Sequence, residues 1–232
     1  MIRTPRILML LPAGGVPLLS GVLASTGRAA QVVAVVPSLG EAESDGGGAG
    51  RVVADLRVGL PVADGAVDMV AGYGIHPADP ALLVDEARRV LAAGGRIVFR
   101  VELGHLRHHG CDLPGLSSEE VGRVARALSE AVEVQTRHGW EAMHAVMDTG
   151  RAGLQSEGAE VIHMTERLDH RGVEAYLRTA TPVAPAPFAA VRSSLDERAA
   201  RRYRAACHRA VDVHGALTLR TPMVCMRARR LP

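Results

Sequence analysis

Short runs of Val, Ile, Leu and Ala, each bounded by turn residues, alternate along the first hundred residues with stretches whose apolar positions recur at helical spacing. The runs at 6–11, 31–36, 51–55, 67–73 and 95–101 are almost continuously apolar, as strands buried on both faces must be. Residues 16–26 read as a helix between the first two runs. Residues 80–93 read as another between the fourth and fifth, with Pro80 in the first turn and Gly94-Gly95 as the stop. Such alternation predicts a parallel sheet with helices on both faces. The segment 39–50, with Gly46, Gly47 and Gly48 among acidic and small residues, has too little apolar surface to pack and predicts a mobile loop.

The pattern changes after residue 101. Val121, Val124, Ala125, Leu128, Val132 and Gln135 fall at helical spacing over 117–138, and Ser117 with Glu120 forms a candidate capping box. A further helix is predicted over 140–157, ending at Gly158, then a strand over 160–165. Pro182, Pro185 and Pro187 mark a rigid loop between Tyr176 and an Arg-rich helix over 193–213, and a last strand covers 216–227. No internal repeat or interdomain linker is visible. The expectation is one domain, 1–232, with a core of about 1–104 and 158–232 and a helical lid insertion at about 105–157.

Composition narrows the class. With 47% hydrophobic and 22% charged residues among 232, the chain is long enough for a packed core, and no apolar run reaches the roughly 18 residues of a membrane span. Residues 7–11 run straight into Pro12 and Gly14, which reads as a first strand and not as a signal peptide. Cys111, Cys207 and Cys225 are odd in number and unpaired in spacing. That argues against a disulfide framework or zinc knuckle and makes a reducing cytoplasm the expected location. Net charge is +2, and the 27 basic residues are all arginine. The run Arg198, Arg201, Arg202, Arg204 contains Tyr203 as its only aromatic, so it reads as a solvated helix face and no nucleic acid or membrane partner is expected.

One stretch carries more. From Val52 to Val101 the chain has Asp55, then Leu60-Pro61, Asp64-Gly65 and Asp68, then Glu86, Arg89-Val90-Leu91 and Gly94-Gly95-Arg96. Physically, Asp64-Gly65 makes a turn before the fourth strand, and Gly94-Gly95 lets the chain reverse where side chains would clash. In this order the residues resemble the small-molecule class I S-adenosylmethionine-dependent methyltransferases. The resemblance implies an α/β fold: a Rossmann-like, doubly wound, mostly parallel seven-stranded sheet with a helical lid insertion. It also implies a small-molecule substrate and a cofactor lying across the carboxyl ends of the first strands. Carried onto this chain, the cofactor contacts fall on Ala13, Gly14 and Gly15 after the first strand, on Asp55 and Leu56 beside the adenine, and on Tyr73 in the pocket wall. For Asp55 a strand-end cap is an equal reading.

The chain departs from the family pattern at two places. In "ILMLLPAGG" Met9 stands where the family has an acid, Leu11 and Ala13 stand where it has two glycines, and only Gly15 matches. In "VVAVVPS" the ribose-binding acid falls on Val36, followed by Pro37, and neither side chain can accept a hydrogen bond. S-adenosylmethionine is therefore expected to be held weakly or not at all.

Candidate chemistry clusters in "GHLRHHGCDLP", with His105, His108, His109, Cys111 and Asp112 following the fifth strand. His105 and His108 can act as acid or base near neutral pH; a metal site and an ordinary polar loop are the other readings. His76, after the fourth strand, is either a pocket residue or part of a loop turn. His138, Trp140, Met143 and His144 read as core filler before substrate cage. Three functional readings follow: a small-molecule methyltransferase, a repurposed non-methylating enzyme of the cyclisation or rearrangement kind, and an inactive subunit in a homo- or hetero-oligomer.

Overall fold

The computed structural model describes residues 4–10, 31–36, 50–53, 59–73, 79–132, 139–148, 153–181 and 184–232. The chain divides into two compact units, one of residues 1–101, 139–160 and 224–232, the other of residues 102–138 and 161–223. Residues 105–138 of the expected insertion belong to the second unit and 139–157 to the first. The helix expected over 16–26 and residues 39–49 of the loop expected over 39–50 lie outside the described residues, and Gly50 already belongs to a strand.

In the first unit, β1 (Arg6–Leu10), β2 (Gln31–Val36), β3 (Gly50–Val53), β4 (Val67–Tyr73) and β5 (Leu91–Glu102) line up as β3-β2-β1-β4-β5, followed by β8 (Leu217–Arg230). The pairs β1–β2, β1–β4, β2–β3 and β4–β5 are all parallel. Leu8 and Val70 are fully buried, as expected for central strands covered on both faces. Together with β7 (Leu154–Leu168) the described residues contain seven strands of four or more residues, plus the two-residue β6 (His108–His109). The order reverses between β1 and β4, which makes their carboxyl ends the topological switch point.

The polar residues of the resemblance hold turns. Helix α1 (Pro80–Val90) starts where Asp79 Oδ1 accepts from the Leu82 N–H at 3.0 Å, with Pro80 in the first turn. It ends three residues earlier than the spacing predicts, because Leu91 is already extended and pairs with Val67. A Cβ on Gly95 would stand 2.9 Å from the Ala92 carbonyl oxygen and 3.1 Å from that of Asp68, so the reversal into β5 requires glycine. Arg89 clamps the preceding loop. It donates two 2.8 Å bonds to Glu86, one of 2.7 Å to Asp64 and 2.8 Å bonds to the Leu60 and Val62 carbonyls. The Arg89 guanidinium holds the Glu86 carboxyl below its usual range, assisted by the Leu60 N–H, and Glu86 in turn raises Arg89. Asp68 likewise receives the Arg6 N–H at 2.8 Å and ties β1 to β4.

Helix α3 (Gly139–Asp148) buries Met143 and Met147 and packs on α1. The expectation of a helix through residue 157 is corrected: residues 154–157 already belong to β7, after Gly153 at φ 70°. Positive φ there breaks helical geometry, and a side-chain pattern of period two follows.

In the second unit, α2 (Ser118–Glu130) has the capping box the sequence offers, with Ser117 Oγ accepting from Glu120 N–H at 3.3 Å and Glu120 accepting from Ser117 N–H at 2.9 Å. The expected residues 133–138 of this helix lie outside the described set. Two helices stand where the reading gave a loop or nothing: α4 (His170–Arg178), capped by Asp169, and α5 (Pro187–Ser194). Pro187 occupies the first turn of a helix, where its missing N–H costs nothing, so it starts structure instead of breaking it. The Arg-rich helix α6 (Glu197–His214) is capped by Asp196 and ends at Gly215 with φ 74°. Val173, Leu177, Val191, Tyr203, Cys207 and Leu217 form the middle of this unit's core.

Candidate functional site

At the switch point the described strand ends are apolar. Met9 lies opposite Ala34 on one side and Ala71 on the other, and Leu10 opposite Val35 and Gly72. Met9 is only 2% exposed and Leu10 1%. Val36, the last residue of β2, is registered with Val53 of β3. The polar groups on the described strand ends of this unit are Tyr73, half-buried at the end of β4, and the exposed Arg100 beside it on β5. Strands β1, β2 and β4 end without a carboxylate, whereas β5 runs on to Glu102, which Arg107 pairs at 3.2 Å. Sequence reasoning named Tyr73 but missed Arg100, which becomes visible only once the β4–β5 register pairs the two. Ala13, Gly14, Gly15, Asp55, Leu56 and His76 lie outside the described residues.

The second unit holds the histidine cluster. His105 is half-buried in a single 3₁₀ turn, Gly104–Leu106. His108 and His109 follow on β6, which pairs antiparallel with β8 through His108↔Arg220 and His109↔Leu219. Successive strand residues face opposite ways, so His108 is exposed and His109 turns inward. The His108 Nδ1–H donates to the Leu106 carbonyl at 3.3 Å.

His109 enters a buried hydrogen-bond network. Its Nε2 lies 3.1 Å from the Tyr203 hydroxyl, with the rings edge to face at 74°, and the Tyr203 hydroxyl lies 3.3 Å from that of Tyr176. Tyr203 is completely buried. Burial, with His108 alongside, pushes the imidazole of His109 down to about 4, and burial raises both phenols. At neutral pH the chain His109–Tyr203–Tyr176 is therefore uncharged throughout: it can pass or donate hydrogen bonds but holds no anion or cation. Cys207, in the same core, is pushed up to about 12 by burial, and Cys111 Sγ accepts from the Thr218 N–H at 3.4 Å. The Cys207 thiol is therefore not set up as a nucleophile.

Around this core the charges pair on the surface. Glu174 accepts from Arg204 at 2.8 Å and from His208 at 2.6 Å, and the His208 ring meets that of His170 at 3.0 Å between Nδ1 atoms, tying α4 to α6. Arg202 bonds Glu120 and, at 3.1 Å, the Gly115 carbonyl. Tyr203, the one aromatic in the arginine run, lies inside the core and has no face to offer a nucleic acid base.

Arg107 reaches Glu102 at 3.2 Å and Thr221 Oγ1 at 2.8 Å, placing a satisfied ion pair beside the start of the histidine segment. Among the described residues no three His, Cys, Asp or Glu side chains lie close enough together to hold a metal ion. No described helix is long and apolar enough to cross a membrane.

No family model and no curated protein matches the sequence. Solved structures do match. A candidate type II methyltransferase from Anaeromyxobacter dehalogenans is similar at 18% identity with a TM-score of 0.65, over 98% of this chain and 91% of that one. A candidate methyltransferase from Bacillus halodurans C-125 is similar at 15% identity with a TM-score of 0.49, over 100% and 95% of the two chains. The first likeness, with the parallel strand order and its reversal between β1 and β4, shows that this chain has the fold of the class I S-adenosylmethionine-dependent methyltransferases.

Proposed function

We propose that this protein uses a methyltransferase fold to act on a small molecule in a biosynthetic reaction while holding S-adenosylmethionine weakly or not at all. The observation that carries the reading is Met9: where the resemblance implies a carboxylate, a thioether sits 2% exposed between two strands. A fixed apolar side chain at that place leaves the polar groups of a nucleoside without an acceptor, at about 1–3 kcal/mol for each unsatisfied group. With Val36 in the second position the combined loss corresponds to about two orders of magnitude in affinity or more. The described ends of β1 and β2 thus offer the cofactor no acidic side chain.

A second reading is a repurposed enzyme that catalyses a cyclisation or rearrangement, and Met9 supports it too, because such a reaction can dispense with the methyl donor.

A thermal-shift titration with S-adenosylmethionine and S-adenosylhomocysteine tests the first reading. Ligand at about 100 times its dissociation constant stabilises by about 2.7 kcal/mol, which in a chain of this size raises the midpoint by about 5–10 °C. The expected result at about 100 µM ligand is a shift below about 1 °C. A shift of several degrees with either compound restores an ordinary methyltransferase.

A further inference from the structure

We propose that a cleft at the amino-terminal end of the first unit's sheet, opposite the switch point, binds a phosphoryl group through Arg88 and Arg230. The cleft has a volume of about 440 Å³ and lies where the turn at Asp64-Gly65, the end of α1, the start of β5 and the end of β8 meet. Gly65, Ala92 and Ala93 keep it open, and three arginines, Arg88, Arg89 and Arg230, line it.

The three are differently committed. Arg89 spends all three of its nitrogens on Glu86, Asp64 and backbone carbonyls, and so also neutralises Asp64, the one acid in the cleft. Arg230 bonds the Arg88, Arg89 and Leu91 carbonyls through Nη1 alone, which caps the end of α1 and leaves its other two nitrogens without a protein acceptor among the described residues. Arg88 also lines the cleft and has no acceptor among them; its Nε is buried out of reach of a ligand, so only its terminal nitrogens can serve there.

The cleft thus presents two guanidinium groups, those of Arg88 and Arg230, that pair with no carboxylate among the described residues. Helix-dipole complementarity accounts for Arg88 in the last turn of α1, but not for Arg230, which comes from the end of β8. An oxyanion in the cleft would supply an acceptor to both. Two guanidinium groups whose charge no carboxylate offsets match a phosphoryl dianion, which accepts from planar N–H forks. The volume lies in the range of small-molecule pockets and exceeds that of the ion, so the rest of a phosphorylated molecule has room.

The test uses the full chain, titrated by calorimetry with inorganic phosphate, pyrophosphate and ribose 5-phosphate, each against sodium chloride of matched ionic strength. Saturable binding is expected, with Arg88→Gln weakening it about tenfold and Arg88→Lys, which keeps the charge but loses the planar fork of terminal N–H groups, weakening it less. Arg123→Gln, in the second unit, should leave it unchanged. Tighter binding of ribose 5-phosphate than of phosphate assigns the group to a phosphorylated small molecule; equal affinity assigns it to the free ion. Without anion, Arg88→Gln should melt no lower than the unmodified chain, because it removes an unsatisfied buried donor. No binding beyond the chloride control, or equal affinities in the unmodified chain and both Arg88 variants, overturns the proposal.

Discussion

The two units solve the problem of polar groups inside a fold in opposite ways. In the first, ionised side chains stay at the turns: Arg89 grips the 60–64 loop, Asp68 receives Arg6, and the strands between are apolar up to Met9 and Leu10. In the second, polar groups go into the core, but only as neutral species, with burial keeping His109, Tyr203 and Tyr176 uncharged. Charge in this molecule secures geometry at the edges. Inside the core of the second unit, hydrogen bonding is kept without charge.

The largest effect that bears on this contrast is expected from Arg89→Ala. It strands Glu86 and Asp64 and two backbone carbonyls, and should cost about 2–4 kcal/mol in chemical denaturation. If the variant loses less than about 1 kcal/mol, the clamp is not what fixes the first unit's loop.

The second unit should respond to pH instead. His109 titrates near 4 folded and near 6.5 unfolded, so below 6.5 the unfolded chain takes up a proton that the native one refuses. The stability this group contributes is complete above pH 6.5 and is lost as pH falls through about 4, up to about 3 kcal/mol in all. Denaturation midpoints measured across that window should flatten in His109→Gln. An unchanged slope would show that His109 does not stay neutral inside.

A smaller loss, about 1–3 kcal/mol, is expected for Tyr203→Phe, which leaves the His109 and Tyr176 partners unsatisfied without removing ring volume. Because the groups are neutral, the loss should not change with salt, whereas that of Arg89→Ala should shrink as salt rises. Ser117→Ala, removing one half of a capping box, should cost about 1 kcal/mol and touch neither network.

Much of the first unit was legible. The strands 31–36 and 67–73 coincide with β2 and β4, because runs of Val and Ala between turn residues leave little choice of boundary. The second unit was less so. Pro187 was read as a breaker although its position relative to the following apolar residues suits a helix start, and α4 escaped notice because its nine residues offer two turns of periodicity. In the segment 105–112 the inward-facing member was not legible: that His109 and not His108 turns into the core follows from the β6–β8 register, which residues alone do not supply. Tyr203 could have been found. Ala200, Tyr203, Cys207 and Ala210 recur at helical spacing through the arginine run, an apolar stripe that marks the tyrosine as core.

The function of this protein turns on whether the switch point still accepts a sulfonium nucleoside. Isothermal titration calorimetry of the whole chain with S-adenosylmethionine, repeated with S-adenosylhomocysteine, measures that directly. The expected result is a dissociation constant of about 100 µM or weaker for both, or no measurable heat. A constant in the low micromolar range, about 1–10 µM, would mean that groups other than β1 and β2 side chains supply the missing acceptors, and would contradict the account.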